Sequence, residues 1–206
     1  MMTGTHSLYN HLDFKHEKWL QMVRDELIGQ SVLDKIIDSK TLSEVFDLLR
    51  ECSFIGDFLA YQYAIDMNYS NVINFSEDSF VKAGIGAIRG IKKCFKNESL
   101  QKYSNEDIIK FTQDNFGKYQ LIFGFNEFKP LFGREPSLID LQNCFCETDK
   151  LLRVKMPELQ VDNKRIKQFY KETPLPLDIF FPPKWNINHK IEKSHLEPTR
   201  RELTLF

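Results

Sequence analysis

Three observations predict an all-α fold organised around a helical hairpin. Apolar residues recur at three- and four-residue spacing through most of the chain. Helix-capping pairs stand ahead of several of these runs: Thr41 with Glu44, Ser104 with Asp107, and Ser137 with Asp140. A Gly-containing turn, Ser53 to Gly56, joins two of the helical patterns into a hairpin.

The elements follow in order. Trp19, Leu20, Val23, Leu27, Ile28, Val32, Leu33 and Ile36, interrupted by Gly29, give two amphipathic packing helices. Thr41 starts a third, which carries Val45, Phe46, Leu48 and Leu49 to the hairpin turn. The helix after Gly56 holds Phe58, Leu59, Tyr61, Tyr63, Ile65 and Tyr69, too apolar a set for a surface helix, so it should cross the core. A loop then delivers Glu77 and Asp78. Beyond Ala83–Ala87 a further helix should carry Arg89, Lys92, Lys93 and Lys96. Ser104 caps a helix, FNEFKPLFGREP reads as loop, and Ser137 caps a long helix with a buried stripe of Leu138, Leu141, Phe145 and Leu152.

The bounds agree with one domain. A chain of 206 residues that is 42% hydrophobic can bury a substantial core. We expect one helical domain over residues 1–170 and an irregular segment over 171–206 that clasps it before fraying. A net charge of −1 and a pI near 6.5 do not mark a nucleic-acid binder, so any DNA contact must come from a local patch. Cys52, Cys94, Cys144 and Cys146 show no metal-ligand spacing, so reduced thiols in a cytosolic protein are expected, with no metal and no cofactor. The N-terminus lacks a signal-peptide pattern and no run approaches membrane-spanning length, which points to a cytoplasmic protein away from the membrane.

The candidate chemistry centres on residues 52–96. The hairpin presents backbone N–H groups at Gly56, where a phosphate can sit on the helix N-terminus; a tight corner in a helical bundle has the same pattern. Gly84 and Gly86 allow close backbone approach to DNA. Arg89, Lys92, Lys93 and Lys96 fall at i, i+3, i+4 and i+7 with no carboxylate among them, either a phosphate-contacting or a solvated basic face. Asp78 stands where the next helix begins and so also suits an N-cap. Tyr61 and Gln62 are placed to stack on or hydrogen-bond an extruded base, or to pack in the core; Asp66 is a third carboxylate that would need a partner if buried. Glu147 with Lys150, and Asp149 with Arg153, read as intrahelical pairs or as secondary site residues.

Two resemblances give these residues a context. S-F-I-G-D-F-L-A-Y, followed about twenty residues on by F-S-E-D-S-F, resembles the helix-hairpin-helix DNA glycosylase superfamily and implies that Asp78 is its catalytic aspartate. IGDFLAYQYAID, EDSFVKAGIGAIRGIKKCF and LFGREPSLIDLQNCFCETDKLLRV, from about Lys40 to Pro157, together resemble the DNA base hypermodification family. That family comprises alpha-glutamyl/putrescinyl thymine pyrophosphorylases and the helical domain beside hydroxymethyl-dU DNA kinases. The resemblance implies action on 5-substituted pyrimidines in DNA, the expected partner. Three readings follow from it: a monofunctional glycosylase excising a bulky modified base, with a role in defence against phages; a transferase displacing pyrophosphate with an amine or amino acid; and a modified-DNA binding module.

The chain departs from these patterns at named positions. Ile85 stands where the family commonly has Pro, and Phe54 where the hairpin has its first Gly. Asp57 should repel a phosphate at the hairpin. Phe58 occupies the Schiff-base lysine position of lyase-type glycosylases, so no lyase step is expected through it. The absence of a P-loop excludes this chain from making an activated pyrophosphate itself. The substrate pocket is expected between the hairpin helix and the helix over 137–155, with Gln62, Glu147 and Lys150 reading the substituent.

Overall fold

The computed structural model describes residues 6–124, 130–159 and 179–191. Among them the regular structure is helical: α1 (Lys15–Met22), α2 (Val32–Asp38), α3 (Leu42–Glu51), α4 (Asp57–Asn68), α5 (Ile85–Cys94), α6 (Asn97–Lys102), α7 (Asn105–Asp114), α8 (Phe116–Ile122) and α9 (Leu138–Lys155). No strand occurs among the described residues. The boundary expected near residue 170, most of the tail beyond it, and Phe125–Lys129 of the loop lie outside them.

The caps begin the helices as their side chains dictate. Thr41 Oγ1 accepts from the N–H of Glu44 at 3.1 Å, and Ser104 Oγ accepts from the N–H of Asp107 at 3.0 Å. Asp140 Oδ2 accepts from the Ser137 N–H at 2.9 Å, closing the first turn of α9. Val45, Leu49, Ala60, Ala64, Ile65, Ala87, Ile91, Ile109, Leu138 and Leu141 then bury a core shared by α3, α4, α5, α7 and α9. Each fully buried aliphatic side chain stabilises by about 1.5–3 kcal/mol before the entropy of ordering it is subtracted.

The tightest contact is α5 on α9. A Cβ on Gly86 would lie 2.2 Å from Cys146 Sγ, and one on Gly90 would lie 2.0 Å from the Phe145 carbonyl oxygen. Both glycines let two helix backbones meet. Gly86 is thus packed against protein, which corrects its assignment to DNA. Gly84, the N-cap of α5, is also crowded: a Cβ there would sit 3.1 Å from the Phe58 ring.

Glu26 ties the hairpin turn to the N-terminal helices. It is 8% exposed and accepts from Tyr9 Oη at 2.6 Å and from the Ser53 N–H at 2.7 Å. Next to it, Phe54 adopts φ +67°, the left-handed conformation of the glycine it replaces. Its ring packs on His6, Tyr9 and Trp19 at centroid distances of 5.4, 5.5 and 5.8 Å, which offsets the backbone cost of about 1–2 kcal/mol. Burial pushes the Glu26 carboxyl up, yet the hydrogen bonds from Ser53 and Tyr9 outweigh it and hold the group below its ordinary value of 4.5. A depressed folded pKa contributes stability that is present above about pH 4.5 and is lost as pH falls through the folded value. Urea-unfolding midpoints measured down through this range should fall for the wild type and show a smaller pH-dependent fall for Glu26→Gln. Equal pH dependence in both would remove Glu26 from the account.

Candidate active site

The loop between α4 and α5 carries Asp78, and its path is set by a buried side chain. Asn68, fully buried at the end of α4, donates from Nδ2 to the Phe75 carbonyl at 3.0 Å, while its Oδ1 accepts from the Phe75 N–H at 2.8 Å. A turn follows at once, with the Ser79 N–H donating to the Ser76 carbonyl at 3.1 Å. Glu77 and Asp78 occupy this turn. The helix expected to begin at Asp78 starts instead after Gly84, so Asp78 does not cap its own succeeding helix.

Asp78 reaches the start of α9, sixty residues further along the chain. Its Oδ1 accepts from the Leu138 N–H at 3.1 Å and from Gln113 Nε2 at 2.7 Å. The helix N-terminus and the amide thus orient the carboxylate. Its Oδ2 has no hydrogen-bond donor among the described residues. Glu77 points into a second arrangement: Oε2 accepts from Arg134 Nη2 at 2.7 Å and Oε1 from Trp185 Nε1 at 2.7 Å. Arg134 also donates to Asp140 Oδ2 at 2.8 Å and Ser137 Oγ at 3.1 Å, and its guanidinium lies 3.8 Å over the Trp185 ring. Burial lowers the Arg134 pKa, but Asp140 and Glu77 reverse this and hold the group above its ordinary value.

Glu77, Asp78, Arg134, Ser137 and Trp185 line a cleft of about 430 Å³ together with Asn74, Phe75, Ser76, Glu135 and Lys184. Residues 179–191 supply one wall. Asn188 braces this segment by exchanging two 2.8 Å hydrogen bonds with the Phe181 backbone, and Lys190 Nζ donates to the Phe132 carbonyl at 2.9 Å. Trp185 packs edge-on against Tyr69, 5.3 Å between centroids. The cleft that holds Asp78 lies at the N-terminal end of α9, with residues 179–191 as one wall, and not between the hairpin helix and the middle of α9.

Several expected site residues lie elsewhere. Tyr61 is 1% exposed in the core, packed edge-on against Phe80, so it offers no stacking face to a base. Its buried hydroxyl has no hydrogen-bond partner among the described residues, and burial raises its pKa, with Tyr69, Asp140, Asp78 and Glu77 adding to the rise. Gln62 is half-buried, with Nε2 likewise unpartnered. Asp66 is exposed. Glu147 and Lys150 pair with each other on the surface of α9, and Glu147 lies nine residues past Leu138, or about 13 Å along the axis at 1.5 Å per residue. They do not share the Asp78 cleft.

The basic helix divides in two. Lys92 and Lys96 are exposed and Arg89 half-exposed, with Lys96 just beyond the end of α5. Lys93 turns the other way: its side chain is 1% exposed and its Nζ donates to Asp149 Oδ1 at 2.8 Å. Asp149, also 1% exposed, takes Arg153 Nη2 at 3.3 Å on its other oxygen. Lys93 and Asp149 are corrected from DNA- and substrate-binding residues to an internal ion pair between α5 and α9. At the hairpin, a Cβ on Gly56 would meet nothing within 4 Å, which leaves the start of α4 open. Asp57 pairs with Arg50, so its expected repulsion toward a phosphate is largely neutralised.

Arg134, Trp185, Lys184, Gln113 and Asn68 are the cleft and positioning residues that sequence reasoning missed. REPS before the α9 cap was the available signal for Arg134, because an Arg three residues ahead of a capping Ser can reach both the cap and its acidic partner.

An all-helical domain that gathers two acidic side chains, an arginine and a tryptophan in one cleft belongs among helical domains rather than Rossmann- or P-loop-type nucleotide binders. The family model described as "5-hmdU DNA kinase, helical domain" matches residues 1–161, and the chain belongs to that family. Its place is thus in modified-base DNA metabolism. No curated protein and no solved structure matches the chain. Among the described residues no helix is long and apolar enough to cross a membrane, and no group of three or more His, Cys, Asp or Glu could hold a metal ion.

Proposed function

We propose that the chain excises a hypermodified 5-substituted pyrimidine, such as a glycosylated hydroxymethyl base, from DNA, with Asp78 as the catalytic carboxylate. The observation that carries this reading is the asymmetry of that carboxylate: Oδ1 is anchored by Leu138 and Gln113, while Oδ2 has no donor among the described residues and stands beside an open cleft. As the bond from C1′ to the base nitrogen lengthens, its electron pair leaves with the base and positive charge builds on the deoxyribose. A preorganised carboxylate stabilises that charge and accepts a proton from the water that adds to C1′. Arg134 and Trp185 shape the wall against which the extruded base lies.

Incubation with duplexes differing only in the 5-substituent tests this. Hydroxymethylated or glucosylated pyrimidine DNA should yield alkali-labile abasic sites and plain thymine or cytosine DNA essentially none, because an unfilled cleft leaves polar groups unpaired. Equal cleavage of all duplexes, or of none, would reject the reading. The family description, which attaches this helical domain to a 5-hmdU DNA kinase, favours a second reading: an amine nitrogen bonds to an activated pyrimidine methylene as the methylene C–O bond breaks and pyrophosphate leaves with its electrons, with Asp78 Oδ2 taking the proton of the amine. Transfer leaves the base attached with the amine in place of pyrophosphate, whereas excision removes it, so mass spectrometry of digested nucleosides separates the two.

Lys92, Lys96 and Arg89 are the phosphate contacts in this proposal, with Gly56 offering backbone N–H groups. Lys92→Ala with Lys96→Ala should weaken binding to every DNA sequence alike and reduce the slope of log K against log salt by roughly 2. An unchanged slope makes that face solvated surface only.

A further inference from the structure

Aromatic rings recur at a constant interval from the end of α5 to α8, at Phe95, Tyr103, Phe111 and Tyr119. A lysine stands immediately before each of the last three, at Lys102, Lys110 and Lys118, and Lys96 follows the first. Phe95 and Tyr103 close α5 and α6, while Phe111 and Tyr119 ride on α7 and α8. The fold brings these positions together. Phe95, Tyr103 and Phe111 line one cavity of about 500 Å³. Phe111 meets Tyr119 edge-on at 6.5 Å between centroids, and Tyr119 stacks on Phe123 at 6.3 Å. Core packing does not account for the outer rings, since Tyr103 and Phe111 are each 50% exposed and Phe123 is 66% exposed. The four lysines are exposed as well, and none forms an ion pair among the described residues. Lys102 Nζ lies 5.2 Å from the centre of the Tyr103 ring, which puts a cation beside an aromatic face. Of the carboxylates in this stretch, Glu106 accepts from the Ala83 N–H at 3.0 Å, and Asp107 accepts from the Ser104 N–H and Oγ at 3.1 and 2.6 Å. Glu98 sits in the first turn of α6, where the helix dipole favours it. Asp114 lines the cavity, where a carboxylate suits the amino edge of a base and not a phosphate.

We propose that α6, α7 and α8 carry a path for a single strand of DNA, with bases stacked on Tyr103, Phe111 and Tyr119 and phosphates drawn to the intervening lysines. Rings alternating with cations match an unpaired strand, which offers base faces and backbone charge together. A duplex hides its base faces, and a second copy of the chain would cover the rings without needing a lysine beside each. The path also has a fixed relation to the Asp78 cleft. Gln113, which holds Asp78 Oδ1 at 2.7 Å, follows Phe111 by two residues, or about 200° around α7. The helix therefore separates path from cleft, and a strand on the rings runs roughly one helix diameter, about 10–12 Å, from the carboxylate. Extruding a base costs the stacking of its neighbours, and rings at this distance replace it. The inference deepens the excision reading and rests only on its DNA partner: the DNA is held with the strand beside the target base unstacked.

The experiment titrates the full chain into a fluorescein-labelled, unmodified oligothymidine strand of about twelve nucleotides and into the duplex of the same sequence. The single strand should bind at least about tenfold tighter. Tyr103→Ala and Phe111→Ala should each lower single-strand affinity roughly 5- to 100-fold and leave the slope of log K against log salt unchanged, whereas Lys110→Ala should reduce that slope by about 0.7. Equal affinity for strand and duplex, unchanged affinity in both alanine variants, or tighter binding of the matching uridine RNA overturns the proposal. A dimer in sedimentation that Phe111→Ala dissociates also overturns it and assigns the rings to a second copy. If an alanine variant fails to fold, crosslinking of the wild type to a 5-iodouracil strand decides: peptides mapped to Tyr103, Phe111 or Tyr119 support the path, and any other map rejects it. Excision from modified duplexes is scored in parallel. Excision without single-strand binding rejects the path alone, and single-strand binding without excision supports the path and rejects the excision reading.

Discussion

Asp78→Asn should reduce processing of modified-pyrimidine DNA by about 10²- to 10³-fold or more, while unfolding temperature and DNA affinity stay close to those of the wild type. The geometry makes this substitution unusually clean. Leu138 N–H and Gln113 Nε2 both donate to Oδ1, so an asparagine must present its oxygen there and keeps both hydrogen bonds. The amide nitrogen then takes the position of Oδ2, the atom without a partner among the described residues. The anchor of α9 loses only the charge contribution to the helix N-terminus, about 0.3–1 kcal/mol. What disappears is the negative charge facing the cleft. Single-turnover rates on a glucosylated hydroxymethyl-pyrimidine duplex, beside melting curves of both proteins, check the expectation. An Asn variant that turns over like the wild type would remove Asp78 from the chemistry, and one that melts far lower would make it a structural anchor above all.

Why Asp78 could be nominated from sequence while its neighbours could not follows from range. Caps are local: Thr41, Ser104 and Ser137 each meet a backbone N–H or carboxylate three residues away, so the starts of α3, α7 and α9 were readable. The Leu138, Leu141 and Phe145 stripe was readable for the same reason. The cleft is assembled across 57 residues between Glu77 and Arg134 and 108 between Glu77 and Trp185, and no periodicity encodes such pairings. The miss at Lys93 is different, because a signal was present. Gly86, Gly90 and Lys93 fall at i, i+4 and i+7, one face of α5. Two glycines on a helix face mark close approach to another helix, and a lysine on that face must be buried. Counting the basic residues without the glycines placed Lys93 with Lys92, when about 100° of helix rotation separates them.

The burial of Lys93 leads to the largest expected effect on stability. Its ammonium and the Asp149 carboxylate are each 1% exposed and meet at 2.8 Å. The desolvation of two charges is repaid only while both are present, so removing one partner costs about 3–5 kcal/mol. Asp149→Ala is the more damaging half, since it leaves Lys93 without its carboxylate and removes the Arg153 contact on the other oxygen. Lys93→Met leaves Asp149 with Arg153 and should cost less. Because domains of this size hold about 5–15 kcal/mol in total, Asp149→Ala should lower the unfolding temperature by roughly 10 °C. The double replacement Lys93→Met with Asp149→Leu exchanges the pair for apolar volume and should recover most of the loss, as buried pairs are often no more stabilising than hydrophobic packing. Urea unfolding of the wild type, Lys93→Met, Asp149→Leu and the double replacement closes a cycle that gives the coupling between the two sites. Lys93→Met should also leave the salt dependence of DNA binding unchanged, which distinguishes an internal ion pair from a phosphate contact. An Asp149→Ala protein as stable as the wild type, or a flattened salt slope in Lys93→Met, would return Lys93 to the protein surface.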